Sequence, residues 1–364
     1  MSTPAAPTIT AGGRPQRVVQ AVLSRGAVPL FFAVLCLAGI IAARLDPVYL
    51  VNEIITRLGR NSFLVLSLLI PIVAGLGLNF GIVIGAMAAQ MALVAVTHFQ
   101  VVGLAGIALA AAVAAPIAVL FGWLTGQVLN RAKGREMVTS LIMGFFANGL
   151  YQLIFLVLVG TVIPMKNPVL LLPSGIGLRN TVDLIEVSNA LDTAFFGPIM
   201  VGPYLIPLCT LLVTALLCLV VSFLIRTKLG QQMRTVGQDM HVAEVAGINV
   251  DRIRLTAIII STVLAAWGQI IFLQNIGTMN TYNSHEQVGT FSIAALLVGG
   301  ATSRRATIWN GLVGVVLFHT LFVVSPLAGQ KLLGIPQVGE YFRSFLAYGV
   351  IAVALAMHAW QAKK

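Results

Sequence analysis

Long apolar runs alternate with short polar segments along most of this chain. About 20 consecutive apolar residues, with a range of roughly 17 to 25, cross a bilayer as a helix. The pattern predicts about ten transmembrane helices, at residues 27–43, 61–78, 82–98, 102–129, 138–163, 203–224, 255–274, 289–302, 309–325 and 342–358. The eighth run is short and rich in glycine, and the second and third runs meet within residues 75–85.

The composition indicates that lipid is the solvent for most of the chain. Of the 364 residues, 58% are hydrophobic and only 9% are charged, whereas a soluble domain carries about 25% charged residues. We therefore expect an all-α membrane protein with a single transmembrane domain over residues 27–364. The leader over residues 1–26, which is rich in Pro, Ala and Thr, is expected to be disordered and cytoplasmic.

The distribution of basic residues predicts the orientation, because cytoplasmic loops of membrane proteins carry an excess of Lys and Arg. With ten spans and both termini inside, inner segments hold 15 of the 22 basic residues; the outer segments hold seven, among them Arg57 and Arg60. Spans 2–5 and 7–10 then form two inverted blocks, a common plan in transporters. The longest outer segment, residues 163–203, contains several prolines and is expected to form a small external cap.

The residues that could carry chemistry argue against an enzyme and against an ion-coupled carrier. All eleven carboxylates lie outside the apolar runs or at their ends, although ion-coupled carriers usually need a titratable group at membrane depth. Only His319 of the five histidines lies well inside a run, where packing or hydrogen bonding is favoured over a proton relay. The three cysteines suggest no metal site, and there is no phosphate-binding loop. We expect no metal, no cofactor and no nucleic-acid partner.

The most informative polar segment is residues 226–254, a net-basic island between two long apolar runs. Gly230 and Gly237 are expected to interrupt it. The alternative interpretation is an ordinary solvated loop whose basic residues only set the topology.

The residues that follow favour a short helix clamped at both ends. Asp239 is a good N-cap for a helix that extends through Ala246, and Gly247 suits the position after its end. Asn249 can cap the seventh span, with Asp251 in the first turn of that span, near the positive end of the helix dipole. These caps predict a helix that lies across the inner face of the membrane.

The same segment resembles a known loop. Its sequence T-V-G-Q-D-M-H-V-A-E-V-A-G-I-N-V-D-R-I-R-L is similar to the cytoplasmic loop of permease subunits in binding-protein-dependent ABC importers, in the branch for ribose-type sugars, branched-chain amino acids and nucleosides. The matching positions are Val236, Gly237, Ala243, Gly247, Ile248 and Val250. Thr235, Asp239 and Val242 depart from the family pattern, which has Ala, Asn and a small residue there.

The resemblance implies a role for this loop. In the family the loop is a coupling helix that inserts into a groove on the ATPase subunit. The residues expected to couple this chain to an ATPase are Gly237, Asp239, Ala243, Glu244, Gly247 and Asn249.

Two further patches resemble the family. Residues 77–90, G-L-N-F-G-I-V-I-G-A-M-A-A-Q, are similar to the Gly-rich joint between spans 2 and 3, and Asn79 and Phe80 lean towards the amino-acid branch. Residues 295–303, A-L-L-V-G-G-A-T-S, are similar to the Gly-Gly segment of span 8, although Arg304 and Arg305 replace a second Gly-rich stretch.

Polar side chains inside the spans are candidates for a solute pathway. The expected pathway residues are Asn79, Gln90, Asn148, Gln269 and Ser292. Asn79 and Gln90 rank highest because they flank the Gly-rich joint. Interhelical hydrogen bonding is the alternative role for each of them.

The resemblance implies the membrane-spanning subunit of an ABC importer in a bacterial inner membrane. Such a subunit is not an enzyme; it translocates a small polar solute (sugar, nucleoside or branched-chain amino acid) that an external binding protein delivers, while separate subunits hydrolyse ATP. It pairs with a second copy or a related permease. An ion-coupled secondary transporter, a membrane-embedded enzyme and an exporter of related architecture remain the alternatives.

Overall fold

The computed structural model describes the backbone of residues 14–165, 167, 169–194 and 197–362, and within these ranges the side chains of residues 26–353. The first half of the chain forms α1 (Arg14–Ala43), α2 (Pro47–Ser67), α3 (Leu69–Val73), α4 (Ile82–Phe99), α5 (Gly103–Arg131) and α6 (Glu136–Leu153), and a π-helical turn (Ile154–Leu158) continues α6. The second half forms α8 (Leu208–Arg226), α9 (Lys228–Gln238), α10 (Met240–Val245), α11 (Val250–Ile276), α12 (Ser284–Val298), α13 (Ile308–Leu333) and α14 (Pro336–Ala362).

Within the described ranges, eight helices are long and apolar enough to cross a membrane. The all-α membrane class is therefore confirmed, and every predicted apolar run overlaps a helix. Two of those helices are not among the eight: α12 has only 15 residues, and the side chains of 354–362 in α14 lie outside the described residues. Of the predicted leader, residues 1–13 also lie outside them, whereas the backbone from Arg14 is helical and continues into α1.

The predicted start of the second span, residue 61, is wrong. The helical segment begins at Pro47, which directly follows the N-cap Asp46, and continues through α3 to Val73. Arg57 and Arg60 consequently lie within α2 rather than in an outer loop. The hydrophobic pattern missed this start because α2 tolerates charge: Arg57 Nε donates to Glu53 Oε2 at 2.9 Å.

Two other predicted boundaries also moved. The fifth span, predicted over 138–163, ends its helical part at Leu158. The eighth, predicted over 289–302, begins five positions earlier at Ser284 and ends at Val298. The polar first turn of α12, which includes His285 and Glu286, was therefore assigned to a loop.

The segment between the π-helical turn and α8 contains little regular structure in its described residues. Its elements are β1 (Thr181–Asp183), a 3₁₀ turn (Ile185–Val187), α7 (Ala190–Thr193), β2 (Ile199–Val201) and β3 (Tyr204–Ile206). Strands β2 and β3 form a hairpin. Strand β1 pairs antiparallel with β4 (Thr278–Asn280), the strand that precedes α12. This pairing attaches the segment to the chain just before the start of α12.

Helix α11 lies at the centre of the bundle, against α2, α4 and α5. Small residues allow the close approach of these helices, as is common in membrane bundles. A β-carbon on Gly122 of α5 would lie 2.9 Å from Ile259 Cα, and one on Gly268 would lie 3.1 Å from the Leu64 nitrogen. At one end of the bundle the segments 74–81, 132–135, 227–249 and 299–307 converge around the start of α11.

Candidate coupling surface and polar pathway

The polar island consists of two helices with an abrupt turn between them. The Thr227 hydroxyl accepts from the Gly230 nitrogen at 3.4 Å and caps α9. Gly230 thus lies inside α9, and the expectation that it interrupts the island is wrong; Gly237 lies in the last turn of the same helix. The break occurs at Asp239, whose extended backbone separates α9 from α10.

The predicted caps of α10 are confirmed. Asp239 Oδ1 accepts from the nitrogens of His241 and Val242, at 2.8 and 3.1 Å. After α10, Gly247 has a φ of +76°, a conformation that glycine adopts without strain. Asn249 Oδ1 accepts from the Arg252 nitrogen at 2.9 Å at the start of α11. The island is therefore an ordered structure with a fixed cap at each turn.

Helix α10 presents an apolar surface in a polar setting. Val242 and Val245 are 56% and 78% exposed, and the neighbouring Glu244 is exposed too. Ala243 is fully buried and faces the rest of the chain. Of the residues predicted to couple to an ATPase, Glu244 is exposed on the protein surface, whereas Ala243 packs α10 against the rest of the chain.

The island contacts the loop between α3 and α4, residues 74–81, backbone to backbone. This loop contains the start of the predicted Gly-rich joint and keeps that name. A β-carbon on Gly75 would lie 2.7 Å from Gly237 Cα. A β-carbon on Gly77 would lie 3.2 Å from Met137 Cγ, at the start of α6, and 3.6 Å from the Ser303 carbonyl oxygen. The joint is thus a point where α9, α6 and the loop before α13 meet.

A buried ion pair lies beside this meeting point. Arg254 of α11 is 1% exposed, and its Nη2 donates to Glu136 Oε1 of α6 at 2.7 Å. Its Nε donates to Asn130 Oδ1 at 3.1 Å, and its Nη1 reaches Met240 Sδ of α10 at 3.5 Å. One guanidinium therefore connects the ends of α5, α6, α10 and α11. Sequence reasoning counted Arg254 only as a topology charge, because the distant Glu136 gives no local signal.

A chain of polar groups crosses the interior near the start of α12. His285 is fully buried; its Nδ1 lies 2.7 Å from Gln90 Oε1 and its Nε2 lies 2.9 Å from Asn148 Oδ1. Asn148 Nδ2 in turn donates to Glu286 Oε1. The structure therefore brings the predicted residues Gln90 and Asn148 together through His285. Sequence reasoning missed His285 and Glu286 because it began the eighth span after them.

Within the described ranges, the side chains of the other three predicted pathway residues form no hydrogen bond with Gln90, His285 or Asn148. Gln269 Nε2 reaches the Ser284 carbonyl at 3.5 Å. Asn79 Oδ1 accepts from the Gly81 nitrogen at 3.0 Å, a local contact that shapes the Gly-rich joint. Ser292 lines a different cavity.

Two cavities flank α12. One, of about 630 Å³, lies between α4, α6, α12 and α14 and is lined by Asn148, His285 and Glu286 among apolar side chains. The other, of about 330 Å³, lies between α2, α11, α12 and α13. Among the described residues no group of three or more His, Cys, Asp or Glu side chains could hold a metal ion.

Comparison with known proteins gives a family match over most of the chain. Residues 50–355 match the sequence model of the family described as branched-chain amino acid transport system / permease component. The matched region extends from the first turn of α2 through α13 and includes the polar island and the residues that line both cavities.

The chain is similar to relatives whose names give three different solutes. They include the nucleoside ABC transporter permease protein NupC of Lactococcus lactis (30% identical over 40% of this chain and 44% of the relative), the high-affinity branched-chain amino acid transport system permease protein LivH of Salmonella typhimurium (27%; 48% and 68%) and the fructose import permease protein FrcC of Rhizobium meliloti (26%; 50% and 49%). The chain spans about half the length of NupC and FrcC. No solved structure gives a significant match.

Proposed function

Because the chain belongs to the family of branched-chain amino acid transport system permease components, we propose that it is the membrane-spanning subunit of an ABC importer. It translocates a small polar solute, of the class of branched-chain amino acids, nucleosides or sugars, that an external binding protein delivers. Separate subunits bind and hydrolyse ATP. The single observation that carries this function is α10: a short helix with two fixed caps and two exposed valines, joined to the interior of the bundle.

Helix α10 with its flanking turns is the proposed contact for the ATPase. Val242, Glu244 and Val245 form the contact surface, and Asp239, Gly247 and Asn249 fix its position. Gly237 and Ala243 act behind the surface by close packing. Moving a two-state pathway from 1:99 to 99:1 requires about 5.5 kcal/mol of differential binding. A helix that is clamped at both ends can transmit such a load without unwinding first.

The path of transmission is short. Closure of the ATPase pushes α10; α9 passes the displacement to the Gly-rich joint through the Gly75–Gly237 contact, and Arg254 passes it to α6. The joint and α6 border the polar chain of Gln90, His285 and Asn148. The two cavities that flank α12 are the proposed solute path: the large one lies beside that chain, and the smaller one is lined by Ser292.

The proposed assembly sits in a bacterial inner membrane with both termini in the cytoplasm. Ten crossings, with inverted blocks over spans 2–5 and 7–10, leave the island on the inner side with most of the basic residues. A second copy or a related permease completes the path, and the external segment around β1 and β2 receives the binding protein. The surrounding partner is the lipid bilayer.

Reconstitution tests this function directly. Proteoliposomes that contain the permease, a cognate ATPase subunit and a cognate binding protein should accumulate solute when ATP is present. Accumulation should survive an uncoupler that collapses ion gradients. Uptake that continues without ATP and stops with the uncoupler would instead favour the ion-coupled carrier, for which His285 and Glu286 would supply the titratable groups.

A further inference from the structure

The smaller cavity has an unusual concentration of cationic and donor groups for a membrane interior. Helix α2 contributes Arg57 and Arg60 to its wall. Ser284 and Gln287, in the first turns of α12, lie in the wall too, and Asn280 of β4 closes it. A volume of about 330 Å³ is large enough for one small solute or one head group.

The two arginines differ in how their charge is balanced. Arg57 is paired with Glu53 at 2.9 Å. Arg60 donates from Nη1 only to a neutral acceptor, Asn275 Oδ1 at 3.1 Å, and its guanidinium carbon lies 5.6 Å from the centre of the Phe272 ring. Its buried Nε has no hydrogen-bond partner among the described residues. Arg60 therefore leaves a net positive charge at the cavity wall.

The surroundings do not cancel this charge. Arg343 of α14 lies 3.5 Å from the centre of the Phe322 ring, another wall residue. The carboxylate nearest to it, that of Glu340, is 3.8 Å away. With Glu53 and Arg57, the charged groups around the cavity sum to an excess of one positive charge. Arg60 is half-buried, so water solvates its charge only in part, and a counter-charge inside the cavity would stabilise it.

A histidine points to the same ligand chemistry independently. His319 lines the cavity, is 6% exposed, and its buried Nδ1 has no hydrogen-bond partner within the described ranges. Ser292 of α12 adds a hydroxyl nearby. An unpartnered buried polar group is costly, so a ligand with several hydrogen-bonding atoms would stabilise this wall.

The end of α12 adds a further favourable field. Ser284 and Gln287 place the N-terminal turn of α12, and with it the positive end of the helix dipole, at the wall of this cavity, while Glu286 of the same turn lines the larger cavity. Half-helices whose N-termini point at an anionic solute group are a recurring device in transporters.

We propose that this cavity is a subsite for the carboxylate of the transported solute, with Arg60 as the residue that positions it. An arginine fork matches the two oxygens of a carboxylate. Of the three solute classes named among the relatives, only an amino acid carries that group. The inference rests on the proposed function, because it assumes that the chain handles a solute. The phosphate of an anionic lipid head group offers the same chemistry from a different source.

Direct binding tests the subsite. The probe is radiolabelled leucine, measured against the purified full chain in phosphatidylcholine nanodiscs by scintillation proximity. Leucinol, which replaces the carboxylate by an alcohol, serves as the competitor. We expect leucinol to compete about tenfold or more weakly than unlabelled leucine, since a charge-assisted hydrogen bond is lost. This comparison uses the unmodified protein and requires no variant to fold.

The variants localise the effect. Arg60→Gln should weaken leucine binding by about tenfold or more, and Arg60→Lys should restore part of it. The matched control is Arg44→Gln, an exposed arginine outside the cavity, which should leave binding unchanged. No detectable leucine binding, equal competition by leucine and leucinol, or equal binding by Arg60→Gln and the parent would overturn the subsite.

Two further arms separate the alternatives. If phosphatidylglycerol in the nanodisc displaces leucine from the parent protein and the displacement depends on Arg60, the cavity holds a lipid head group. The solute subsite is then rejected. ATP-driven uptake of a ribose or uridine probe by a complex that binds no leucine would reject the subsite and keep the proposed function. Leucine binding in a complex that transports nothing with ATP would reject the proposed function and keep the subsite.

Discussion

Gly75 and Gly237 face each other across the boundary between the Gly-rich joint and α9, so closely that a β-carbon on Gly75 would lie 2.7 Å from Gly237 Cα. A β-carbon on Gly237 would collide with the Val73 carbonyl oxygen. The contact joins backbone to backbone with no flexible side chain between them. We therefore expect a displacement of α9 to be transferred to the joint.

Gly237→Ala should disrupt this contact. The added methyl group must push α9 away from α3, because backbone cannot rotate out of its way. We expect ATP-driven uptake to fall strongly while the chain still inserts and purifies. Gly149→Ala is the matched control: Gly149 also lies in a helix, with open space around the position of a β-carbon. That change should leave uptake intact and stability equal or up to about 1 kcal/mol higher. Equal uptake by the two variants would contradict the transfer role.

The ion pair between Arg254 and Glu136 should be expensive to break from one side. Glu136→Gln leaves a buried guanidinium without its counter-charge, which costs about 3–5 kcal/mol in such pairs. The measurement is the Tm of the purified chain in detergent, with a double-mutant cycle that includes Arg254→Met. Lys133→Met serves as the control, because its partner Asp251 is 61% exposed and such surface pairs contribute about 0–1 kcal/mol. A Tm loss no larger than that of the control would contradict the prediction.

Loss of the N-cap Asp239 should destabilise α10 without destabilising the rest of the chain. Asp239→Ala removes the acceptor for two backbone nitrogens and should cost about 1 kcal/mol, confined to α10. Asp239→Asn keeps an acceptor and should behave like the parent. Hydrogen exchange of residues 240–246 reports the local effect, and ATP-driven uptake reports the functional one. Faster exchange throughout the bundle would show that the cap has a wider role than we assign to it.

The exposed valines should matter for the partner and not for the fold. Val245→Asp places a charge on a side chain that is 78% exposed, so the Tm should change little. Co-purification with the ATPase subunit should be lost, because a buried unpaired charge at an interface is costly. Ile185→Asp, at a side chain that is 80% exposed at the other end of the bundle, should leave co-purification intact. Retention of the ATPase by Val245→Asp would remove α10 as the contact.

Two buried glutamines should respond oppositely to the same replacement. Gln90→Leu leaves Nδ1 of His285 without its hydrogen-bond partner and should destabilise the chain by about 1–3 kcal/mol. Neither side-chain amide atom of Gln274 has a hydrogen-bond partner in the described part of the chain. Gln274→Leu should therefore leave stability unchanged or raise it. The Tm values of the two variants in detergent test this contrast, and a similar loss for both would contradict it.

Much of this architecture could be predicted because lipid enforces it. Apolar runs of sufficient length must become helices, and Asp239, Gly247 and Asn249 mark their turns with strong local preferences. The family resemblance of the island was also visible, since it depends on consecutive residues.

What could not be predicted depends on contacts between distant segments. The charged first half of α2 reads as loop until Arg57 is seen to pair with Glu53 and Arg60 to reach Asn275 on α11. His285 is a buried residue only because α12 begins at Ser284, in front of the apolar run. Gly230 failed as a predicted break because the Thr227 cap starts α9 immediately before it.

Helix α12 is shorter than the thickness of the hydrocarbon layer of a membrane. Its 15 residues extend about 22 Å, against a hydrocarbon thickness of about 30 Å. In the proposed topology, with the C-terminal end of α12 at the inner face, a solute that reaches the first turn of α12 from outside would have passed roughly a quarter of the barrier, beside β1 and β4. In the proposed importer the moving parts would then need to open and close only the remaining depth, so we expect a small displacement in each ATP cycle.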